Sequence, residues 1–251
     1  MEQRLTSNYY GDVYKVRPSL PRPNRVLAIG AHFDDVEFGS GATLSKWSKA
    51  GTKIEILVMT DGSKGTWDEN QDGHALALIR KEEQLASAKV IGNDVAVKWL
   101  NWIDGELVHS QRTIAQVAAE IRGFKPDVVV SHDPWKRYRL HPDHRNCGQI
   151  AIDAVVAARD PHFYKELGPH HRPNSILLFE PDQINYVEEV DEVDIEVKVS
   201  ALLSHRSQHQ TSMEDRSGSN DLFGMTRAFA RRIGQEFGCS LGEPFHLIDD
   251  V

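Results

Sequence analysis

Between residues 25 and 179 the chain alternates repeatedly between two hydrophobic patterns, and no other feature restricts its fold as strongly. Val26 to Ile29, Ile54 to Met59, Val95 to Leu100, Asp127 to Ser131 and Ser175 to Phe179 are short, mostly apolar runs rich in β-branched residues. Strands buried on both faces read this way. Between them lie Glu37 to Lys49, Ala75 to Ile91, Thr113 to Arg122 and Pro142 to Ala158, each patterned as a helix. Leu78, Leu85, Ala88 and Ile91 mark the apolar stripe of the second, Gly51 and Gly92 stand where helices stop, and Pro142 takes a first helical position. Gly39, Ser40, Gly41 and Ala42 let the first helix pack close to the sheet. Strand and helix in alternation predict an α/β fold, a Rossmann-like, mostly parallel sheet with helices on both faces.

Past Val190 the pattern weakens. Val193 to Gln208 is compatible with a strand followed by a helix, Thr211 to Asn220 with a polar loop, and Asp221 to Phe237 with a helix. Neither a repeat nor a low-complexity linker divides the chain. A single domain over residues 1–251 is expected, with a polar lead-in at 1–23 and a less patterned C-terminal part at 190–251. Hydrophobic content of 40% and charged content of 26% suit a globular protein. A net charge of −8 argues against a nucleic-acid footprint. No apolar run approaches the ~20 residues of a membrane span, and the N-terminal stretch has no apolar signal core. Two cysteines, Cys147 and Cys239, make no disulfide framework and suit a reducing compartment. The expectation is a cytoplasmic enzyme or small-molecule binder.

In open α/β sheets ligands bind beyond the carboxyl ends of the strands. Three segments fall there: Ala31-His32-Phe33-Asp34-Asp35-Val36-Glu37, the loop Thr60 to His74, and Ser131-His132-Asp133-Pro134 running on to His141-Pro142-Asp143-His144-Arg145. The first crowds an imidazole and two carboxylates into one turn. Carboxylates so close resist joint ionisation unless a cation neutralises them, although acidic residues also simply suit a helix N-terminus. In the third, His141 and His144 share the first turn of a helix, where the macrodipole keeps imidazoles neutral. Helix-terminal histidines are often surface decoration, but two His/Asp clusters at one sheet edge are hard to attribute to chance. Two histidines and a carboxylate would leave a coordination position open, as catalytic metal sites do.

Those residues resemble the LmbE-like (PIG-L) family of zinc-dependent N-deacetylases. Thr60-Asp61-Gly62, the Arg80 to Glu83 stretch and Ser204-His205-Arg206-Ser207-Gln208 fit as well, so the likeness spans roughly residues 25 to 240. It implies that His32, Asp35 and His144 bind the metal, Zn²⁺ or in its place Fe²⁺ or Co²⁺. It further implies that Asp34 is the general base on the metal-bound water, and that His141 stabilises the oxyanion and protonates the leaving amine. Arg80 and Asp104 match substrate-binding positions, with a solvated helix face and an ordinary Asp-Gly turn as their plainer readings. Phe33 stands where the family usually has proline.

Glu37 reads as a supporting or capping residue, Cys147 as core, and His205 lies in a matching segment without a readable role. His132, His162, His170, His171 and His209 receive none. Asp68 to Gly73 opens like a calcium loop but places Ile79 where a glutamate is required. Gly39 to Leu44 falls a glycine short of a dinucleotide fingerprint, and Gly62 to Gly65 lacks P-loop spacing. The resemblance implies metal-dependent hydrolytic removal of the N-acetyl group from an N-acetylglucosamine-type substrate through a metal-activated water. An amidase acting on a larger N-acyl glucosamine conjugate, a non-haem iron oxygenase and a metal-binding protein without turnover are the alternatives. Oligomeric state is not readable from the chain.

Overall fold

A computed structural model describes residues 20–208 and 221–251. Most of the polar lead-in and the loop predicted at Thr211 to Asn220 lie outside the described residues.

The alternation read from the sequence is realised as β1 (Arg25–Gly30), α1 (Asp35–Lys49), β2 (Lys53–Thr60), α2 (Gly73–Ile91), β3 (Ala96–Trp102), α3 (Gln111–Phe124), β4 (Val128–His132), α4 (Pro142–Arg159) and β5 (Ser175–Phe179). There follow β6 (Tyr186–Glu189), α5 (Glu192–Leu203), a short helical segment at Arg206–Gln208, a helix α6 (Leu222–Phe237) and β7 (Gly242–Asp249). The strands form one seven-stranded sheet in the order β3-β2-β1-β4-β5-β7-β6. From β3 to β5 every pairing is parallel, while β7 runs antiparallel to both β5 and β6. Strand order reverses between β1 and β4, which pair directly through Val26–Val128 to Ala28–Val130. Their carboxyl ends therefore open a crevice at the topological switch point.

The two-residue period of a strand divides the core. Leu27 and Ile29 of β1 point into the cluster formed with Ile114, Val117 and Ile121 of α3 and Ile150, Ala151 and Ala154 of α4. Val26 and Ala28 point into the opposite cluster, with Leu44 and Trp47 of α1 and Ala88 and Ile91 of α2. Gly39 brings α1 against the sheet as its small size predicts, since a Cβ there would lie 2.3 Å from the Phe179 ring.

Three expectations need correction. The Val193 to Gln208 region contains no strand: a capping box between Asp191 and Asp194 starts α5 at Glu192. The stripe assigned to α2 holds only in its last turn, where Ala88 and Ile91 are buried; Leu78 and Leu85 are exposed, while Leu76, Arg80, Gln84 and Ser87 are buried. That inner face is polar because it packs against the functional crevice. Finally, β6 and β7 complete the sheet in a region where the sequence showed no strand.

Candidate metal centre at the switch point

The chain leaves β1 at Gly30 and turns into α1 through Asp34, which caps the helix in a left-handed conformation with φ 81° and ψ −21°. An L-residue enters that region only at a cost, and here neighbours hold it. Arg80 of α2 donates to the carbonyls of Phe33 (3.1 Å) and Gly62 (3.0 Å), and its guanidinium lies over the Phe33 ring. Phe33 is fully buried and packs against Trp99, so the ring that replaces the family's usual proline anchors the turn in the core. Gly62 closes the same contact: its φ is +65°, and a Cβ would lie 2.6 Å from Phe33.

The change of hand at Asp34 sends two adjacent carboxylates apart. Asp35 folds back to accept from the His32 backbone N–H at 2.7 Å, and its carboxylate lies 3.2 Å from His144 Nε2 and 3.5 Å from His32 Nδ1. His32 Nδ1 and His144 Nε2 face each other at 3.1 Å. Ligand atoms on a tetrahedral cation with bonds of ~2.0–2.2 Å stand roughly 3.4 Å apart, which makes these three groups candidates to share one ion. The Asp34 carboxylate makes no capping hydrogen bond; burial lifts its pKa to about 6, opposed by the nearby Arg80 charge.

Supporting contacts fix the far nitrogen of His32. His32 Nε2 lies 3.2 Å from Asp143 Oδ2 and 3.2 Å from Asp104 Oδ1. Carboxylates only accept, so Nε2 carries a proton, and Nδ1, which faces the crevice, is the atom that would lose its own proton to ligate a cation. Asp143 is fully buried at the first turn of α4 and also accepts from the backbone of Gly105 (2.7 Å) and Leu107 (3.2 Å). Burial disfavours a charged His32, but Asp104, Asp143 and Asp35 outweigh it and hold its pKa well above the usual value. Burial likewise opposes ionisation of Asp35, yet His144 and His132 hold its carboxyl well below the usual range.

Ligand-type atoms fall into three overlapping groups, each within 4.8 Å: His32, His141 and His144; Asp35, His132 and His144; and His32, Asp104 and Asp143. The hydrogen bonds sort them. His132 lies 3.0 Å from Arg139 through Nδ1 and 3.0 Å from Asp35 through Nε2. Arg139 only donates, so His132 Nε2–H donates to Asp35 and neither nitrogen is left for a metal. Arg139 is held in turn by Glu180 at 2.9 Å. His141 is the N-cap of α4 rather than part of its first turn, and its Nδ1 accepts from the Asp143 N–H at 3.3 Å. Its ring lies 4.5 Å from that of His32 and 4.9 Å from that of His144, with Nε2 left over.

His32, Asp35, His141 and His144 thus converge on one crevice, with Asp34 on the turn that enters it. Arg80 and Asp104 adjoin it, but their polar atoms engage protein: Arg80 is buried on backbone carbonyls rather than solvated, and Asp104 accepts from Lys64 N–H besides meeting His32. His132, Asp143 and Arg139 were missed by sequence reasoning. For His132 the available signal was a polar residue closing a buried strand at the switch point. For Asp143 it was an acid placed between two helix-terminal histidines.

Sheet order and centre together define a class, a doubly wound α/β protein with a candidate histidine–carboxylate metal site at its switch point. The chain belongs to the PIG-L family, GlcNAc-PI de-N-acetylase, whose model matches residues 27–155, from β1 into α4. Diacetylchitobiose deacetylase of Thermococcus kodakarensis is 34% identical over 200 residues, 78% of this chain and 74% of that one. The solved structure of N,N′-diacetylchitobiose deacetylase from Pyrococcus horikoshii, complexed with its inhibitor MPG, matches with a TM-score of 0.82 at 32% identity, covering 91% of this chain and 85% of that one. GalB, the 4-carboxy-2-hydroxymuconate hydratase of Pseudomonas putida, matches with a TM-score of 0.72 at 17% identity over 90% of this chain and 96% of its own, a likeness of fold alone. No helix among the described residues is long and apolar enough to cross a membrane.

Proposed function

We propose that the protein removes the acetyl group from an N-acetylglucosamine-type substrate by metal-assisted amide hydrolysis, with His32, Asp35 and His144 holding the cation. A mixed nitrogen–oxygen donor set suits Zn²⁺ and accepts Fe²⁺ or Co²⁺. When bound, the cation supplies Lewis-acid polarisation of the amide carbonyl and lowers the pKa of coordinated water toward ~7. Asp34 takes a proton from the attacking water as the new C–O bond forms, and returns it to the amide nitrogen as the C–N bond breaks, in place of the protonation by His141 that the family resemblance implies. His141, whose Nδ1 accepts from Asp143, carries its proton on Nε2 and donates from the opposite side to the oxygen that gains negative charge. Burial together with the charges of His32 and His144 lowers the His141 pKa, which suits a neutral donor. Arg80 and Asp104 are assigned to substrate contact on the family resemblance, a role in which they share bonds they already make to protein.

The observation that carries this reading is the divergence of two neighbouring aspartates, one drawn into the histidine cluster and one without a capping bond beside it. The oxygenase alternative loses its support, since that chemistry rides on β-barrels rather than a doubly wound parallel sheet. The two free cysteines, Cys147 buried and Cys239 half-buried, favour a cytoplasmic setting. The reading is tested with Asp34→Ala: it should keep stoichiometric metal by elemental analysis while losing acetate release from N-acetylglucosamine derivatives by roughly 10²–10⁴-fold, the usual worth of a general base. Full turnover in that variant rejects the assignment.

A further inference from the structure

Behind Asp34 lies a group of buried polar side chains that the proposed chemistry does not use. Glu37 of α1 is fully buried, and its Oε1 accepts from Gln84 Nε2 at 2.5 Å and Ser87 Oγ at 2.8 Å. That bond fixes the direction of the Gln84 carboxamide, whose Oε1 is then aimed at the Asp34 backbone N–H, 3.4 Å away. His205, also fully buried, places Nε2 3.8 Å from Glu37 Oε1, and neither of its ring nitrogens has a hydrogen-bond partner. It arrives on the segment that follows α5, which docks on α2 where Ser207 donates to Glu83 through its N–H (2.8 Å) and hydroxyl (2.6 Å). Gln208 Nε2 donates to Gly65 O at 3.0 Å, tying the same segment to the loop after β2.

A carboxylate and an imidazole buried together are a costly way to fill space, and apolar residues of similar volume do it at least as well. Their position suggests what they are for. The network ends on the backbone of Asp34, a non-glycine residue held in a left-handed conformation, and such strain persists only where surrounding structure imposes it. We propose that Glu37, Gln84 and His205 form a buried clamp that holds Asp34 in its left-handed conformation, making the segment His205–Gln208 a working part of the active site. These three are positioning residues. Their catalytic consequence rests on the reading of Asp34 as the base, whereas the clamp itself does not.

Two measurements separate these claims. In the metal-loaded enzyme, Glu37→Gln should lower kcat by about tenfold or more with KM within about twofold of the parent and metal content unchanged, as displacement of a reacting group does. His205→Asn should produce the same split. In metal-free protein, the loss of Tm caused by Glu37→Gln should be smaller in the Asp34→Gly background, where glycine adopts the left-handed conformation without strain. Should Glu37→Gln fail to fold, Gln84→Met removes the acceptor for the Asp34 N–H and carries both readouts. An unchanged kcat with full metal overturns the catalytic claim, and an equal Tm loss in both backgrounds overturns the clamp. If the parent enzyme releases no acetate, the functional reading fails on its own and the stability cycle still decides the clamp.

Discussion

The two strand ends that meet at the metal centre are built to opposite plans. After β1 the turn is closed: His32 is buried, Phe33 is in the core, and Arg80 and Gln84 reach across from α2 to hold the backbone. After β4 the connection is open. Trp135, Tyr138 and Leu140 project to solvent, His141 caps α4 at the surface, and the His144 side chain keeps 25% of its exposure. One side of the crevice fixes a proposed ligand and the proposed base against the fold, and the other leaves the second proposed histidine ligand and the proposed oxyanion donor where a substrate can reach them. Rigidity and access are thus divided between neighbouring strands.

This contrast breaks if the two histidines respond alike to truncation. Both His32→Ala and His144→Ala should lose metal by elemental analysis. Only His32→Ala should also destabilise the metal-free protein strongly, by on the order of 3–5 kcal/mol in denaturant unfolding, because Asp104 and Asp143 are left buried without their partner. The more exposed His144 should cost about 1 kcal/mol or less. Next in size, His141→Ala should retain metal and lower kcat by roughly 10²-fold, the worth of one oxyanion donor, in a steady-state assay. Asp143→Asn should weaken metal binding by roughly 10–100-fold in a chelator competition, since it disturbs how His32 is oriented rather than removing a ligand.

The smallest effect concerns the closed side and acid. Burial raises the folded-state pKa of Asp34 to about 6, above the ~3.9 of an unfolded aspartate, so the folded protein holds that proton more tightly. Its carboxylate therefore detracts from stability above pH ~6, and the penalty fades as pH falls toward ~4. Metal-free Asp34→Asn should accordingly melt higher than the parent at pH 7.5 and show no advantage near pH 4. An advantage that persists at low pH would trace to backbone conformation instead.

Much of this was legible in the chain, and the gaps have physical causes. Strands β1 to β5 announce themselves because burial on both faces demands uninterrupted apolar residues. β7, Gly242 to Asp249, carries Pro244 and a half-exposed second half, so it lacks that signature. α2 was found with Ala88 and Ile91 correctly inward, but its first turns were misread, because their buried face holds Arg80 and Gln84 where Leu78 and Leu85 were expected. The spacing of His32, Asp35 and His144 was readable since each lies beside a sheet edge. His132 was not, because its role comes from Asp35, about a hundred residues away, and Glu37 was read only as a supporting or capping residue because its partner His205 is farther still.

The direct pairing of β1 with β4 has a consequence for divergence. The separation of the two turns that carry the proposed ligands is inherited from the backbone ladder, which neighbouring side chains at loop tips do not set. Trp67, Ile103, Val108, Trp135 and Tyr138 all stand exposed on connections that leave the carboxyl ends of strands. Those tips are free to drift, lengthen or be exchanged while the ion-holding geometry stays in place. Such an arrangement makes substrate preference a portable trait, transferable between relatives by grafting loops onto an unaltered sheet.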